Sequence, residues 1–528
     1  MFAFSSKGYP STTNRDNDSR QGSKYEPANM EWSKSHFVDL AMDHIDKSLH
    51  ECCDEPPPLC LLQALVLTSH WFLIQGVRGR AWRSLGSCVR LAYELNLHLV
   101  DSGRPSDFVN PDAAQWCDDE ERRRVWWAIW EMDVFASVIR RFPTAIDWTQ
   151  NETFLPAEDE KWFRGEPQKS CMLAPGLINR AKHLKATGNQ SSKAWFIVLN
   201  SLMKEGQTIS SPMGINKPGV NDQNVSRLDN FQQNGQDARD YALSNRGKDA
   251  ANRVSTLHNT LRYFSMVLPA TLKYRGQYLT FEAQNSRQPG ASSPRHLHSS
   301  IYGIYLMSQL AKIMIYKYQV FDTCTAGLPT SPRDENAIQN SADSYAPVKS
   351  ENNALTQYFK AADDVLGVLN TSSEDHFQYV NPFLANTVWL AAAVQLLHKN
   401  MLSEKSEEEL VISKFEVLCT TYNQFVTYWD MSTTPRQNLV ILENHLKTFA
   451  HGQEDVGSQQ PLPDTTRNLP RLGEINRSTT DQPERQSKPR WIQHSLGKRI
   501  SDHSGNKSLD VPSLQVINIK QNYPDPVQ

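Results

Sequence analysis

No pair of cysteines in this sequence is spaced as CxxC, and the eight that occur, Cys52, Cys53, Cys60, Cys88, Cys117, Cys171, Cys324 and Cys419, do not alternate with histidines at ligand spacing. That scatter argues against a zinc cluster and fits reduced intracellular thiols. His70, His98, His296 and His298 stand at no metal-binding spacing with a carboxylate, as expected of histidines that cap helices or face solvent. A glycine-rich phosphate loop and a Gly-x-Ser-x-Gly nucleophile turn are both missing. So are long apolar runs: "ALVLTSHWFLI" and "VWLAAAVQLL" fall short of the ~20 residues that span a bilayer. The start, "MFAFSSKGYPSTTNRDNDSR", has no secretory core. Together these predict a chain that neither spans a membrane nor is secreted. An excess of either charge is absent as well: 55 Lys and Arg against 58 Asp and Glu give a net charge of -3. Any attraction to nucleic acid or an anionic surface would have to be local.

With 528 residues the chain is long enough for a large core. Residues 1–29 and 450–528 are polar and poor in anything to bury, and are predicted to be disordered tails. Between them apolar residues recur at spacings of three and four over about 30–205 and 251–449, separated by a polar linker at 206–250. A second polar insert, about 322–353, interrupts the later half. Leu61, Leu62, Leu65, Val66, Ser69, Trp71, Phe72 and Leu73 form one helical stripe, and Leu85, Cys88, Val89, Ala92 and Leu95 another. Further helices are predicted over Trp32–Leu49, Ala194–Lys204, Val254–Val267, Ser300–Phe321, Asn353–Leu369, Pro382–Asn400, Glu407–Trp429 and Gln437–Thr448. Alternating strand patterns with Asn-Gly or Asp-Gly turns do not occur, so the fold class is all-α. No fixed-period repeat is visible.

The run "DDEERRRVWWAIWEMDVFASVIRRFPTAI" concentrates arginine, tryptophan and acid. Asp118 with Glu121 has the form of an N-cap and its reciprocal carboxylate, and Pro143 stops the helix after about Arg141. From Trp126, steps of three and four reach Ile129, Trp130, Asp133, Ala136, Ser137 and Arg140, an apolar stripe with an aspartate in its middle. Arg122, Arg123 and Arg124 are consecutive and fan over about 200° of the helix, so they do not converge on one phosphate groove. A buried Asp133 needs compensation, and Arg90, Arg123 or Arg140 are candidate cations. On this wheel Asp133→Ala destabilises and Arg124→Ala, off the stripe, is nearly silent. An alternative class is a magnesium-dependent helical enzyme of terpenoid-synthase type, with Asp118, Asp119 and Glu121 as ligands. Arg122 stands where a further carboxylate is required, and "NDQNVSRLDN" has its serine out of register for the second half-site. Near the end, "RQSKPRWIQHSLGKR" at 485–499 has the composition of an import or nucleic-acid patch, or of a solvated tail.

The order of segments carries a resemblance. Gln63-Ala64-Leu65, Ala81-Trp82, Arg90-Leu91-Ala92 and Leu97-His98 are followed by Glu121-Arg122-Arg123-Arg124 before aromatics, then Asp133, Pro143 and Leu155-Pro156. Later come "YFSMVLPATLKY", "HLHSSIYGIYLMSQLAKIMIY" and "NPFLANTVWLAAAVQLL". In this order they resemble the fungal-specific transcription factor domain, the middle homology region of fungal zinc binuclear cluster regulators. The resemblance implies an all-α regulatory domain acting in the nucleus on RNA polymerase II transcription, with no catalytic or cofactor residues. Arg90, Glu121, Arg123, Asp133 and Pro143 would be structural signature positions. It also implies DNA binding through a zinc cluster in full-length members, which this sequence does not contain, so contact with DNA would be indirect. The partners it implies are the transcription machinery or another regulator, a small-molecule effector and a second copy in a homodimer, with no membrane.

Overall fold

The computed structural model describes residues 34–104, 112–209, 237–283, 294–322, 348–402 and 405–456. The proposed N-terminal tail, Cys324 and the basic stretch at 485–499 lie outside these residues, as do most of the linker, the insert and the C-terminal tail. Among the described residues every regular element is helical, and the one extended contact is a single parallel bridge between Leu279 and Ser372. The all-α class is what the period of three to four demanded. The chain divides into one unit of residues 1–443 and a second of residues 444–528; of the second only the end of a helix, to Val456, is described.

Three helices open the fold: α1 (Lys34–Cys52), α2 (Leu59–Gln75) and α3 (Gly79–Glu94). Helix α3 buries Ala81, Leu85, Cys88, Val89 and Ala92, a stripe at the spacing of one helical face. It faces α2, where Ser69 and Ser84 meet through their hydroxyls at 2.6 Å. The tryptophan helix α4 (Ala113–Arg140) follows, then α5 (Asp159–Arg164), α6 (Leu177–Thr187) and α7 (Ser192–Ile209). The later half holds α8 (Asp237–Val267), α9 (Pro294–Lys317), α10 (Val348–Asn370), α11 (Ala385–Lys399), α12 (Lys405–Trp429) and α13 (Thr434–Val456). Helix α7 packs along α9, and α11 along α12. At Gly206 the first of these contacts is close: a Cβ there would stand 3.4 Å from side-chain atoms of Met314 and Ile315, so the glycine sets how near α7 and α9 approach.

Three boundaries differ from expectation. Helix α4 begins at Ala113 with Asp112 as its cap, accepting from the Gln115 amide at 3.4 Å, so Asp118 and Glu121 lie inside the helix rather than at its start. The polar linker is shorter than 206–250, because α7 runs to Ile209 and α8 starts at Asp237. Helix α13 likewise continues past 449 to Val456. In each case a polar stretch with helix-compatible residues extends an apolar stripe, which periodicity alone does not register.

Candidate functional site

Helix α4 is buried over most of its circumference, and its charges are buried with it. Trp126, Trp127, Ile129, Val134 and Ala136 are wholly enclosed, and the two indoles donate to the segment that folds back over them. Trp126 Nε1 reaches Asn151 Oδ1 at 2.9 Å, and Trp127 Nε1 reaches the Phe154 carbonyl at 2.7 Å. The same segment is gripped by the arginine run. Arg123 forks onto Asp101 through Nε (2.8 Å) and Nη2 (2.6 Å) and also meets Glu120 at 3.3 Å. Arg124 spans Glu120 (3.0 Å), Asp159 (2.5 Å) and the Ala157 carbonyl (2.9 Å), and lies over the Trp162 ring at 4.3 Å. Arg122 donates to the Leu95 carbonyl at 2.9 Å. The acids accept in turn: Asp101 from the Phe154 amide at 2.9 Å, and Glu120 from the Ala157 amide at 2.8 Å. A bidentate guanidinium satisfying a carboxylate that also takes backbone N–H groups is the geometry in which a buried pair is tolerated.

Protonation equilibria follow this burial. Desolvation opposes the charge on Arg123, but hydrogen bonds and attraction from Asp101 outweigh it and push its pKa upward. Burial raises the Glu120 carboxyl, against the pull of Arg124 and Arg123.

The signature residues therefore separate. Arg123 is the centre of the buried network. Arg90 is exposed and is not the partner of Asp133. That carboxylate accepts from two backbone amides instead, Ala145 at 3.1 Å and Ile146 at 2.9 Å, so the turn, with the charge of Lys204 behind it, stands in for the expected cation among Arg90, Arg123 and Arg140. Burial raises the Asp133 pKa, against these amide bonds. The turn is formed where α4 ends: Arg141 takes a left-handed conformation at φ 56° and Pro143 follows. Arg124 overturns the wheel-based expectation of silence, since its guanidinium ties three elements together. Glu121 accepts from Gln63 on α2 at 2.7 Å, which gives the Gln-Ala-Leu and Glu-Arg-Arg-Arg motifs a shared cause.

The terpenoid-type metal set does not assemble. Asp119 is taken by Arg104 (2.6 Å) and Gln115 (3.1 Å), Glu121 faces Gln63, and Asp118 is exposed. Among the described residues no group of three or more His, Cys, Asp or Glu is placed to hold a metal ion. Burial pushes the Cys88 and Cys171 thiols up to about 12, so both are held as protonated thiols in this fold. Among the described residues no helix is long and apolar enough to cross a membrane.

Beside the network lies a cavity of about 280 Å³ whose charged lining is Arg124, Glu131, Asp159, Lys193 and His296. Glu131 is buried, and both its oxygens are engaged, one by Lys193 Nζ and the other by Asn381 Nδ2 at 2.9 Å. Asp159 accepts from Arg124 and pairs with His296 Nε2 at 3.2 Å. Burial would raise the Asp159 pKa, but the His296 hydrogen bond and the Arg124 charge bring it down to about 2, and the same bond raises that of His296. A larger groove of about 630 Å³ along α12, between Phe377 and Tyr428, has no charged residue in its lining. Of the charged residues at the 280 Å³ cavity, sequence reasoning singled out Arg124 and His296 but not Glu131, Asp159 or Lys193, because their contacts join distant elements, Asp159 to His296 across more than one hundred residues and Lys193 to Glu131 across 62.

The family model described as fungal specific transcription factor domain matches residues 5–205. Transcription factor tazR of Aspergillus terreus is 26% identical over 27% of this chain and 24% of its own length. Tropolone cluster transcription factor tropK of Talaromyces stipitatus is 23% identical over 48% of this chain and 47% of its own. Regulatory protein CAT8 of Saccharomyces cerevisiae is 34% identical over 28% of this chain and 10% of its own. The chain thus spans no more than about half the length of the first of these relatives. No solved structure matches. The arginine network, the tryptophan helix and the segment folded over them all fall inside residues 5–205, the part of the chain that is similar to the fungal specific transcription factor domain.

Proposed function

We propose that this chain is a fungal transcription regulator whose helical unit is a regulatory domain controlling RNA polymerase II transcription in the nucleus. The observation that supports this is the family match over residues 5–205, reinforced by relatives named as transcription factors. On this proposal the unit is not an enzyme. Its partners are the transcription machinery or a second regulator, and promoter contact is made by a zinc cluster carried on a longer product or on a partner. Occupancy of an interaction site would shift the unit between inhibited and active states by its differential affinity for the two.

The test is a fusion of the chain to a heterologous DNA-binding domain in a fungal reporter strain, with a fluorescent tag to locate it. Nuclear signal and a reporter output different from that of the DNA-binding domain alone are expected. An expressed, folded fusion that stays out of the nucleus and leaves the reporter unchanged would overturn the proposal.

A further inference from the structure

We propose that the cavity between α4, α7, α9 and residues 381–384 is a binding site for a small organic carboxylate with an apolar body. This deepens the regulatory proposal and rests on it for biological meaning, though the binding itself does not.

The argument begins with size. About 280 Å³ is the liquid volume of about nine waters, enough for a ligand of about that many heavy atoms and near the lower limit of small-molecule sites. The walls are of two kinds. Phe196, Ile304 and Leu384 are apolar, and Gly303 opens space between Phe196 and Leu384, whose nearest side-chain atoms would stand 3.8 and 3.6 Å from a Cβ there. Facing them are two cations, Arg124 and Lys193, the imidazole of His296, which is cationic when protonated, and two carboxylates, Glu131 and Asp159.

Hydrogen-bond capacity decides the sign of the ligand. Both acids are already paired from within the wall, with one donor on each oxygen: Lys193 and Asn381 on Glu131, Arg124 and His296 on Asp159. The donors are not used up. A lysine ammonium has three N–H groups and a guanidinium five, whereas Lys193 makes one such bond and Arg124 three. The imidazole of His296 bonds Asp159 through Nε2 alone. The lining's spare N–H groups thus sit on Arg124, Lys193 and a protonated His296, and an acceptor-only carboxylate is the ligand group that takes all of them. The apolar wall opposite takes the body of the ligand. Lys193 is 42% exposed and His296 53% exposed at the side chain, so the charged end is the open one and the ligand enters body first.

The location gives such binding leverage. Arg124, Glu131, Asp159 and Lys193 lie within the family-matched residues, while His296 and Asn381 come from the later half. A ligand touching both sets stabilises whichever arrangement holds them together.

Benzoate and its neutral counterpart benzamide are the probes, titrated into the full chain and followed by calorimetry and by the shift in thermal midpoint. Saturable benzoate binding is expected, with benzamide at least about tenfold weaker. Lys193→Gln should weaken benzoate about tenfold or more, and Gly303→Leu, which fills the apolar end and leaves every charge in place, should abolish it. Far-ultraviolet circular dichroism on both variants separates lost binding from lost folding. Equal affinity for both probes, benzoate binding unaffected by either folded variant, or no benzoate binding up to about 10 mM would overturn the site. None of these outcomes depends on transcription: a chain that binds benzoate and fails the reporter test keeps the site and loses the regulatory proposal, and the converse holds equally.

Discussion

The described residues before and after position 209 are stabilised by different physics. Every buried charged residue of the described chain, Asp101, Asp119, Glu120, Arg123, Glu131, Asp133, Arg180 and Lys204, lies in the earlier part. In the later part the buried polar residues are uncharged or histidine, such as Thr260, Gln309, His376 and Gln395, set among Leu, Val, Ala and aromatic residues. Its ion pairs sit nearer solvent: Lys312 with Asp364, Lys399 with Glu408 and Lys414 with Asp363, the lysines 20–34% and the acids 21–43% exposed. Apolar packing tolerates substitution of like for like, whereas a buried ionic network fails when one member is removed. The family model covers the part whose geometry depends on particular charges.

The largest expected effect is therefore at Arg123. Replacing it with methionine leaves Asp101, whose side chain is wholly enclosed, without its guanidinium fork, and should lower unfolding free energy by about 3–5 kcal/mol. The double variant Arg123→Met with Asp101→Leu should recover part of that loss, because it removes a buried carboxylate left with only Arg104, at 3.7 Å, as its cationic partner. Urea denaturation of both measures this. A single variant within about 1 kcal/mol of wild type would mean that the earlier part is held by packing, as the later part is.

Asp133→Ala should come next, at about 1–3 kcal/mol, since it strips the acceptors from the Ala145 and Ile146 amides, the latter belonging to a residue only 2% exposed. Asp133→Asn, which keeps one carbonyl oxygen, should lose less. Equal losses would indicate that the charge rather than the acceptor matters.

Acid should also distinguish the parts. His70 stands against Phe383 at 4.7 Å between ring centroids, and burial, opposed by Glu131 and aided by Lys193, brings its pKa down to about 4. The unfolded chain, with an ordinary histidine near 6.5, binds more protons between those values, so stability falls as pH drops from about 6.5 towards 4. At pH 5 the loss from this residue should be on the order of 2 kcal/mol. His296 acts in the opposite sense: its raised pKa adds stability that is fully present below about 6.5 and fades at higher pH. The difference between wild type and His70→Gln at pH 7 and pH 5 isolates the first effect, and parallel curves would contradict it.

What the sequence disclosed follows the same division. Helices of the later part were legible because one apolar stripe per helix is a local pattern, and α9 through α12 lie close to their expected spans. The tryptophan helix was legible as a helix with a buried stripe, and its arginines as unsuited to a phosphate groove. Their partners were not legible. Asp101 and Asp159 flank α4 in sequence, yet nothing local says that residues 151–159 fold back across it, and that return is what makes Arg124 a bridging residue rather than a solvated one. Asp133 is buried, but a helical wheel shows only side chains, whereas both hydrogen bonds that it accepts come from the main chain, with the Lys204 charge contributed from another helix. Helix α6 was missed because it buries only Arg180, Ala181 and Leu184, too few for a stripe. Asn189, the head of a formal glycosylation sequon, is in fact 1% exposed and donates to the Pro156 carbonyl at 2.9 Å.

The smallest effect tests the later part. Lys414 donates to both oxygens of Asp363, at 2.9 and 3.0 Å, a geometry that on distances alone rivals the Arg123 fork. Asp363, however, is 38% exposed at its side chain, so water already screens the pair and can replace the ammonium when it is removed. Gln395 Nε2 also stays on Oδ1 at 2.9 Å. Lys414→Met keeps the aliphatic stem against its neighbours and should shift stability by less than about 1 kcal/mol. A loss approaching that of Arg123→Met would show that bond geometry rather than enclosure sets the worth of an ion pair here, and the distinction between the two parts would rest on position alone.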